Sequence, residues 1–260
     1  MTNQLTLFDA KAPEAEPLVV SYGGGVDSTA MLVGLWSKGI KPAAILFADT
    51  GAEFPSTYRT VWQMTEWLLA HDMPAVTIVR YQPVRAPYST LEEKCLANET
   101  LPSLAYGKHS CSLVFKVEPQ QRWLRQFAPA KTAWAVGQRV RVAVGYDAGT
   151  RDRERSAKRY AAAKDDAKFA YWYPLQEWGW TREHCIQVIE AAGAPAAVKS
   201  SCFFCPAMKK PEIQALQRDY PELFERALAV EARALTGKHD HTSTKGLGRR
   251  FAWADVREAA

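Results

Sequence analysis

The sequence has no uninterrupted apolar run approaching the roughly 20 residues that a membrane-spanning helix needs. Met1 to Pro17 is polar and contains Pro, Ala and Glu without a secretory pattern. A cytoplasmic protein with a loose N-terminal lead is expected, with no membrane partner. Internal repeats and low-complexity blocks are missing too, so the chain reads as globular. Cysteine is sparse and odd in number: Cys95, Cys111, Cys185, Cys202 and Cys205. Without a secretory pattern, that count argues against a disulfide framework and for metal, cluster or thiol chemistry. Neither sign of charge dominates, since 33 Lys and Arg face 28 Asp and Glu for a formal net charge of +5. Such a balance permits a nucleotide or nucleic-acid partner without demanding one. At 260 residues and 47% hydrophobic content, the chain is long enough for one good-sized core plus an appended subdomain.

Two common phosphate-binding patterns are absent as well. No Gly-Lys-Ser/Thr follows the glycines near the N-terminus, which excludes Walker A, and G-x-G-x-x-G does not occur there. What is present is a short β-branched run at Leu18 to Ser21, then Tyr22, three glycines, and Asp27-Ser28-Thr29 opening a segment with Met31, Leu32, Leu35 and Trp36 at helical spacing. That is a strand, a tight loop and a helix. Glycines let backbone approach a ligand closely, and the free amides and dipole of a helix start favour an anion, so phosphate is the expected guest. The run Gly23-Gly24-Gly25-Val26-Asp27-Ser28 resembles the S-G-G-x-D-S pyrophosphate loop of the ATP pyrophosphatase superfamily. Gly23 stands where that family has serine; Ser21 lies two residues earlier.

A second motif sharpens the resemblance. Ala43 to Ala48 is an apolar strand ending in Asp49-Thr50-Gly51, and Pro55 suits the first turn of a helix expected to carry Tyr58, Val61, Trp62, Thr65 and Leu68 or Leu69 inward. Phe47 to Thr57 is similar to the F-x-D-T-G-x-E-F-P-E-T signature of the phosphoadenosine phosphosulfate reductase branch of the superfamily. Ala75 to Arg80 and Val140 to Gly145 read as third and fourth strands, and the helical patterns between strands predict parallel pairing. The expected fold is α/β, a doubly wound, mostly parallel Rossmann-like sheet with a C-terminal helical subdomain. The expected divisions are a lead at 1–16, a nucleotide-binding domain at 17–180 with an insertion at 81–125, and a helical region at 181–260 holding the C-x-x-C.

Gly145 ends the fourth strand, and the resemblance implies that the following arginine-containing loop approaches the nucleotide phosphates. Arg151, Arg153 and Arg155 are the candidates, while Asp147 stands near where relatives often carry arginine. Tyr173-Pro174-Leu175-Gln176-Glu177-Trp178 resembles the P-L-x-x-W element of the same branch. Thr181 is expected to cap a helix ending at Gly193, and a further helix runs from Pro221 to before Gly237. His239 and His241 in the polar tail read as exposed rather than metal-binding.

Cys202-Phe203-Phe204-Cys205-Pro206 can put two thiolates on one metal; alone it fits an iron-sulfur run, a redox pair or half a zinc site. Lys108-His109-Ser110-Cys111, with Lys116 and Pro119, resembles the segment where cluster-bearing members of the branch carry a cysteine pair, Ser110 replacing its first member. The resemblance therefore implies Cys111, Cys202 and Cys205 as ligands, converging across a crevice from the phosphate loop. Cys185 is a possible fourth ligand that also reads as a buried helix cysteine; Cys95 is the weaker candidate. Zinc, with four cysteines or three plus His109, is the rival metal.

Sulfonucleotide reductases use a cysteine in a Glu-Cys-Gly-x-His element, and none follows Cys205 in this sequence. The resemblance then implies adenylation: ATP phosphates at Gly24, Gly25, Asp27, Ser28 and Thr29, with magnesium near Asp27 or Asp49. Asp27, Ser28 and Arg151 are the expected catalytic residues. Ser21, Gly23, Gly24, Gly25, Thr29, Asp49, Thr50, Gly145 and Arg153 are expected to contribute to nucleotide binding. The acceptor would be a nucleic acid or nucleobase and a sulfur donor would act afterwards. Sulfonucleotide reduction and a non-catalytic nucleotide-binding module with structural zinc are the alternatives.

Overall fold

Parallel neighbours flank the β-branched run near the N-terminus on both sides, which is why its apolar residues are almost fully buried. In a computed structural model describing residues 16–237 and 244–256, this run is β1 (Leu18–Tyr22). It joins β2 (Ala44–Asp49), β3 (Val76–Arg80), β4 (Val140–Val144) and β5 (Phe169–Trp172) in one sheet of order β3-β2-β1-β4-β5. Every pairing is parallel. The order reverses at β1, so a crevice opens where the C-terminal ends of β1 and β4 diverge. β5 has no counterpart in the sequence reading. Its four residues, Phe-Ala-Tyr-Trp, are too few to show alternation.

Helices cover both faces, as a doubly wound Rossmann-like sheet requires. On one face, Val20, Tyr22, Ile45 and Phe47 pack against α1 (Val26–Ser37), α2 (Pro55–Ala70) and, beyond α1, α9 (Arg182–Ala191). On the other, Val19, Leu46, Val142 and Val144 form a core with Leu124 and Ala130. Those two residues belong to α5 (Glu118–Leu124) and α6 (Ala128–Ala135). α7 (Thr150–Ala163) links β4 to β5, and α8 (Pro174–Glu177) follows β5. The inward face of α2 is Thr57, Thr60, Val61, Met64, Trp67 and Leu68. It is rotated from the expected set, because Trp62 and Leu69 are exposed at 62% and 58%.

A separate core unites two stretches that are far apart in the chain. From the insertion it takes α3 (Leu91–Ala97), Ala105 and Phe115, the last inside a π turn at Leu113–Val117 that follows the short α4 (Ser110–Ser112). From the C-terminal region it takes Phe203, Phe204, α10 (Lys210–Asp219), α11 (Pro221–Leu235) and Trp253. The long excursion after β3 and the C-terminal helices therefore fold as one apolar body beside the sheet. No described helix is long and apolar enough to cross a membrane. His239 and His241 lie outside the described residues.

Glu231 fastens the last described segment. Its buried carboxylate accepts the Leu247, Trp253 and Ala254 amides at 2.6, 2.9 and 3.0 Å. Glu231→Gln would set an amide NH2 against a backbone donor, and an unsatisfied buried donor costs about 1–3 kcal/mol. Thermal unfolding should drop by several degrees, roughly 2–4 °C per kcal/mol for a chain of this order. An unchanged melting temperature would remove the carboxylate clamp from the account.

Candidate functional site

The N-terminus of α1 is left open. Gly25 is its N-cap with no side-chain cap, and the first helical bond is Thr29 N–H to the Gly25 carbonyl at 2.9 Å. The amides of Val26, Asp27 and Ser28 thus lack intrahelical partners and, with the helix dipole, favour an anion. Ser28 Oγ donates to the Gly25 carbonyl at 3.1 Å and accepts the Gly23 amide at 3.2 Å, folding the loop onto the helix start. Gly24 adopts φ +69°, and a Cβ there would come within 2.9 Å of Thr57. Gly145, at the end of β4, runs so close to the loop that its Cβ would lie 2.7 Å from Ser28 Cα.

This loop walls a cavity of about 420 Å³ at the switch point. The sheet contributes Ser21, Val142, Val144 and Phe169 to the lining, and α5 contributes Gln120 and Gln121. Tyr146, Arg155, Arg159 and Tyr171 line it from the β4 and β5 side, and Lys116, Arg182 and Lys199 bring further positive charge. Three carboxylates stand beside the loop, Asp27, Asp147 and Asp152, with oxygens within 4.8 Å of one another. Burial raises the pKa of Asp27, and Arg182, 2.7 Å away, works in the opposite direction.

The C-x-x-C segment is bound to the rim of the sheet by backbone pairing. Glu53 and Cys202 form an isolated antiparallel bridge, with Phe203 N–H donating to Ala52 at 2.9 Å and Phe54 N–H to Ser201 at 3.3 Å. Ser200, two residues before Cys202, reaches the loop, since a Cβ at Gly25 would lie 2.8 Å from its Oγ. Cys202 Sγ is 3.4 Å from Thr50 Oγ1. Cys111, Cys202 and Cys205 pack on the insertion and C-terminal core, and Cys95 is buried within it. Burial pushes up the thiol pKa values of Cys202 and Cys205, and Cys111 adds to the rise at Cys205.

Lys116 joins the two centres. Its Nζ is 3.0 Å from Glu53 Oε1 and it also lines the cavity. Burial disfavours its charge, but Glu53 and the Cys202 and Cys205 thiols outweigh that and hold its pKa above the ordinary lysine range. Glu53 Oε2 is buried with no partner among the described residues. Among those residues, only Asp27, Asp147 and Asp152 meet the 4.8 Å criterion for three candidate ligands.

Ser21, Gly23, Gly25, Asp27, Ser28 and Gly145 come together around the cavity, whereas other expected site residues do not line it. Gly24 backs onto Thr57, and Thr29 is buried with its hydroxyl 3.1 Å from Tyr22 Oη. Asp49 shares the rim with Asp27, but its carboxylate already accepts from Gly51 N–H, Tyr58 Oη and Arg80 Nε at 2.7–2.8 Å. Thr50 donates to Glu53 at 3.2 Å. Arg151 and Arg153 are exposed, Arg153 donating to the Ala148 carbonyl, because the face of α7 toward the cavity is Asp152, Arg155 and Arg159. Cys185 does not join the other cysteines. It is fully buried on α9 in the core against α1, nearest in charge to Asp27 and Asp147. Cys95, ranked lower on sequence, is the one that shares their core and interacts electrostatically with Cys111. Sequence reasoning missed Arg182, Lys199 and Ser200; the only signal was that the last two lie within three residues of the C-x-x-C run.

Gly23 has room for the serine of the S-G-G-x-D-S pattern, its nearest atoms to an added Cβ being 3.6 and 3.9 Å away. Gly23→Ser should therefore keep ATP affinity within about threefold in calorimetric titration, while Gly145→Ala, pressed against loop backbone, should weaken it about tenfold or more, 1.4 kcal/mol being a factor of ten. Equal effects from both changes would contradict the described loop packing.

The phosphoadenosine phosphosulfate reductase domain matches residues 17–196. "Uncharacterized protein MJ0066" of Methanocaldococcus jannaschii is 24% identical over 214 residues, 81% of this chain; the match spans 40% of that relative's length. Among solved structures, the U34-tRNA thiolase NcsA from Methanococcus maripaludis with its 4Fe-4S cluster aligns with a TM-score of 0.46 at 12% identity, covering 86% of this chain and 74% of that one. With the matched domain spanning more than half its length, the chain belongs to the phosphoadenosine phosphosulfate reductase family, within the ATP pyrophosphatase superfamily.

Proposed function

We propose that the protein is an ATP-dependent adenylating enzyme acting in sulfur insertion, or a related modification, on a nucleic acid or nucleobase. The observation that carries this is the set of three carboxylates beside a phosphate loop. Bare anions are repelled by such a set, whereas a triphosphate arriving with magnesium is not. Asp27, Asp147 and Asp152 would hold the cation, which supplies charge neutralisation to the leaving pyrophosphate. The first-turn amides of α1 and Ser28 orient the phosphates, and Lys116, Arg182 and Lys199 face the charge that develops on them. An acceptor oxygen forms a bond to the α-phosphorus as the bond to the β-phosphate oxygen breaks, releasing pyrophosphate. An external sulfur nucleophile then forms its bond to the acceptor carbon and AMP leaves with the oxygen.

Cys111, Cys202 and Cys205, with Cys95 in the same core, would hold an iron-sulfur cluster. When bound it supplies sulfur or electron chemistry next to the nucleotide. Lys116 places one positive charge between the thiols and the cavity, and the surrounding Phe115, Phe203 and Phe204 keep that side dry.

Anaerobically purified protein should release pyrophosphate from ATP with magnesium and a nucleic-acid acceptor, and Asp27→Asn should slow that release about a hundredfold, the scale of losing one electrostatic stabiliser. Sulfite release from a sulfonucleotide with a thiol donor, without pyrophosphate release, would favour reduction instead. In the same preparations, Cys202→Ser/Cys205→Ser should lose most bound iron while Cys185→Ser keeps it. Zinc without iron in the native protein would replace the cluster by a structural site.

A further inference from the structure

No Asp or Glu occurs at positions 73–91 or 119–146, in a chain that has 28 of them in 260 residues, whereas Arg80, Arg85, Arg122, Arg125 and Lys131 fall within those stretches. The fold brings the two stretches together, because α5 packs beside β2 and β3. They enclose a groove of about 380 Å³ at the edge of the sheet, which shares no lining residue with the cavity at the loop. Ile78 and Arg80 on β3, Gln82 after it, and Arg122, Trp123 and Gln126 on or just after α5 line this groove. Asp49, level with Arg80 on β2, accepts its Nε at 2.8 Å, and 69% of the Arg80 side chain stays exposed. Arg122 Nη1 donates to the Gln82 carbonyl at 3.0 Å, tying α5 to the exit of β3.

One helix separates the groove from the nucleotide cavity. Val117, Gln120, Gln121 and Leu124 face the cavity, and Pro119, Arg122, Trp123 and Gln126 face the groove, each set at i, i+3, i+4 and i+7 across α5 and its flanking residues. Arg80 ends β3 level with Asp49, on the rim where β1 runs into the glycine loop, so both sites open on the C-terminal side of the sheet. A chain lying in the groove reaches the cavity across one helix thickness, about 10–12 Å. β3 is an edge strand paired only with β2, and Ile78 in its middle is 52% exposed. Charge on an edge strand opposes pairing with a second polypeptide strand. Arginines set among amides and an indole suit phosphates and bases instead. Trp123 stacks on Phe127 with ring centroids 4.6 Å apart, which holds the indole plane in place.

We propose that the groove between β3 and α5 holds a single-stranded segment of the nucleic-acid acceptor, with backbone phosphates on Arg80 and Arg122 and a base against Trp123 and Ile78. Gln82 and Gln126 offer amide donors and acceptors to base edges. The exposed Arg85, Arg125 and Lys131 extend the attraction for the strand beyond the groove. Anchored there, the strand presents a neighbouring nucleotide to the cavity across α5. The inference deepens the reading of the protein as a nucleic-acid-modifying enzyme and rests on it for the identity of the acceptor.

Fluorescence anisotropy on the full chain tests it, with an end-labelled single-stranded RNA dodecamer, the same sequence as DNA, and the duplex form. Wild type should bind a single strand, more weakly as salt rises, and the duplex at least about tenfold less tightly. Arg122→Gln should flatten the logarithmic salt dependence by about 0.7, the value of one phosphate contact to a single strand, and so should Arg125→Gln at an exposed position. Trp123→Leu should weaken binding about tenfold, with Trp123→Phe restoring most of it. Lys41→Gln, at an exposed position before β2 on the opposite rim, should bind as wild type does. ATP affinity should stay within about threefold in every variant, which also reports that each is folded. Failure of wild type to bind either single strand, equal affinity for the duplex, or an equal loss from Lys41→Gln would overturn the groove. Groove-dependent binding without pyrophosphate release from ATP would support the groove and contradict adenylation. Pyrophosphate release with a free nucleoside acceptor but no strand binding would do the reverse.

Discussion

The backbone bridge between Glu53 and Cys202 is the constraint on which the rest of the site depends. It fixes the segment before the C-x-x-C against the turn that leaves β2, so residues some 150 positions apart share one rim. Ser200 is thereby pressed on the phosphate loop at Gly25, Cys202 on Thr50, and Lys116 can reach Glu53 from the insertion. The pairing thus brings the segment that leads into the C-x-x-C beside the glycine loop that walls the cavity.

Electrostatics around the loop combine both signs of charge. The Asp147 carboxylate accepts the Gly149 amide at 2.8 Å while approaching Asp27 and Asp152. Positive charge comes from other elements, Arg182 at the start of α9, Lys199 in the following segment and Arg155 on α7. The cleft thus pairs an acidic corner with a basic lining, the arrangement that a metal-bound polyphosphate requires and a bare anion does not.

Much of the fold was legible because its signals are local. The glycine loop, the strand ending at Asp49 and the Pro55 helix start each announce themselves within about a dozen residues, and the loop lies at the switch point that parallel order demands. What stayed hidden depends on tertiary packing. The face of α7 that turns inward is set by Ser156 bonding Gln176, twenty residues away, so Arg155 and Arg159 rather than Arg151 and Arg153 meet the cavity. Cys185 and Cys95 both read as helix cysteines; only the shared core of α3, α10 and α11 shows that Cys95 lies with Cys111 while Cys185 serves the packing of α9 on α1. Thr29, despite its place in the loop motif, faces Tyr22 because the helix turns it into the core.

The central claim is that nucleotide and cysteine centres act as one site through Lys116 and the 199–202 segment. The most direct measurement is the electron paramagnetic resonance spectrum of the reduced, iron-loaded protein with and without a non-hydrolysable ATP analogue, in wild type and Lys116→Met. The account predicts that the analogue shifts the wild-type spectrum and that Lys116→Met loses most of this shift while still binding the analogue. Superimposable wild-type spectra with and without saturating analogue would contradict it.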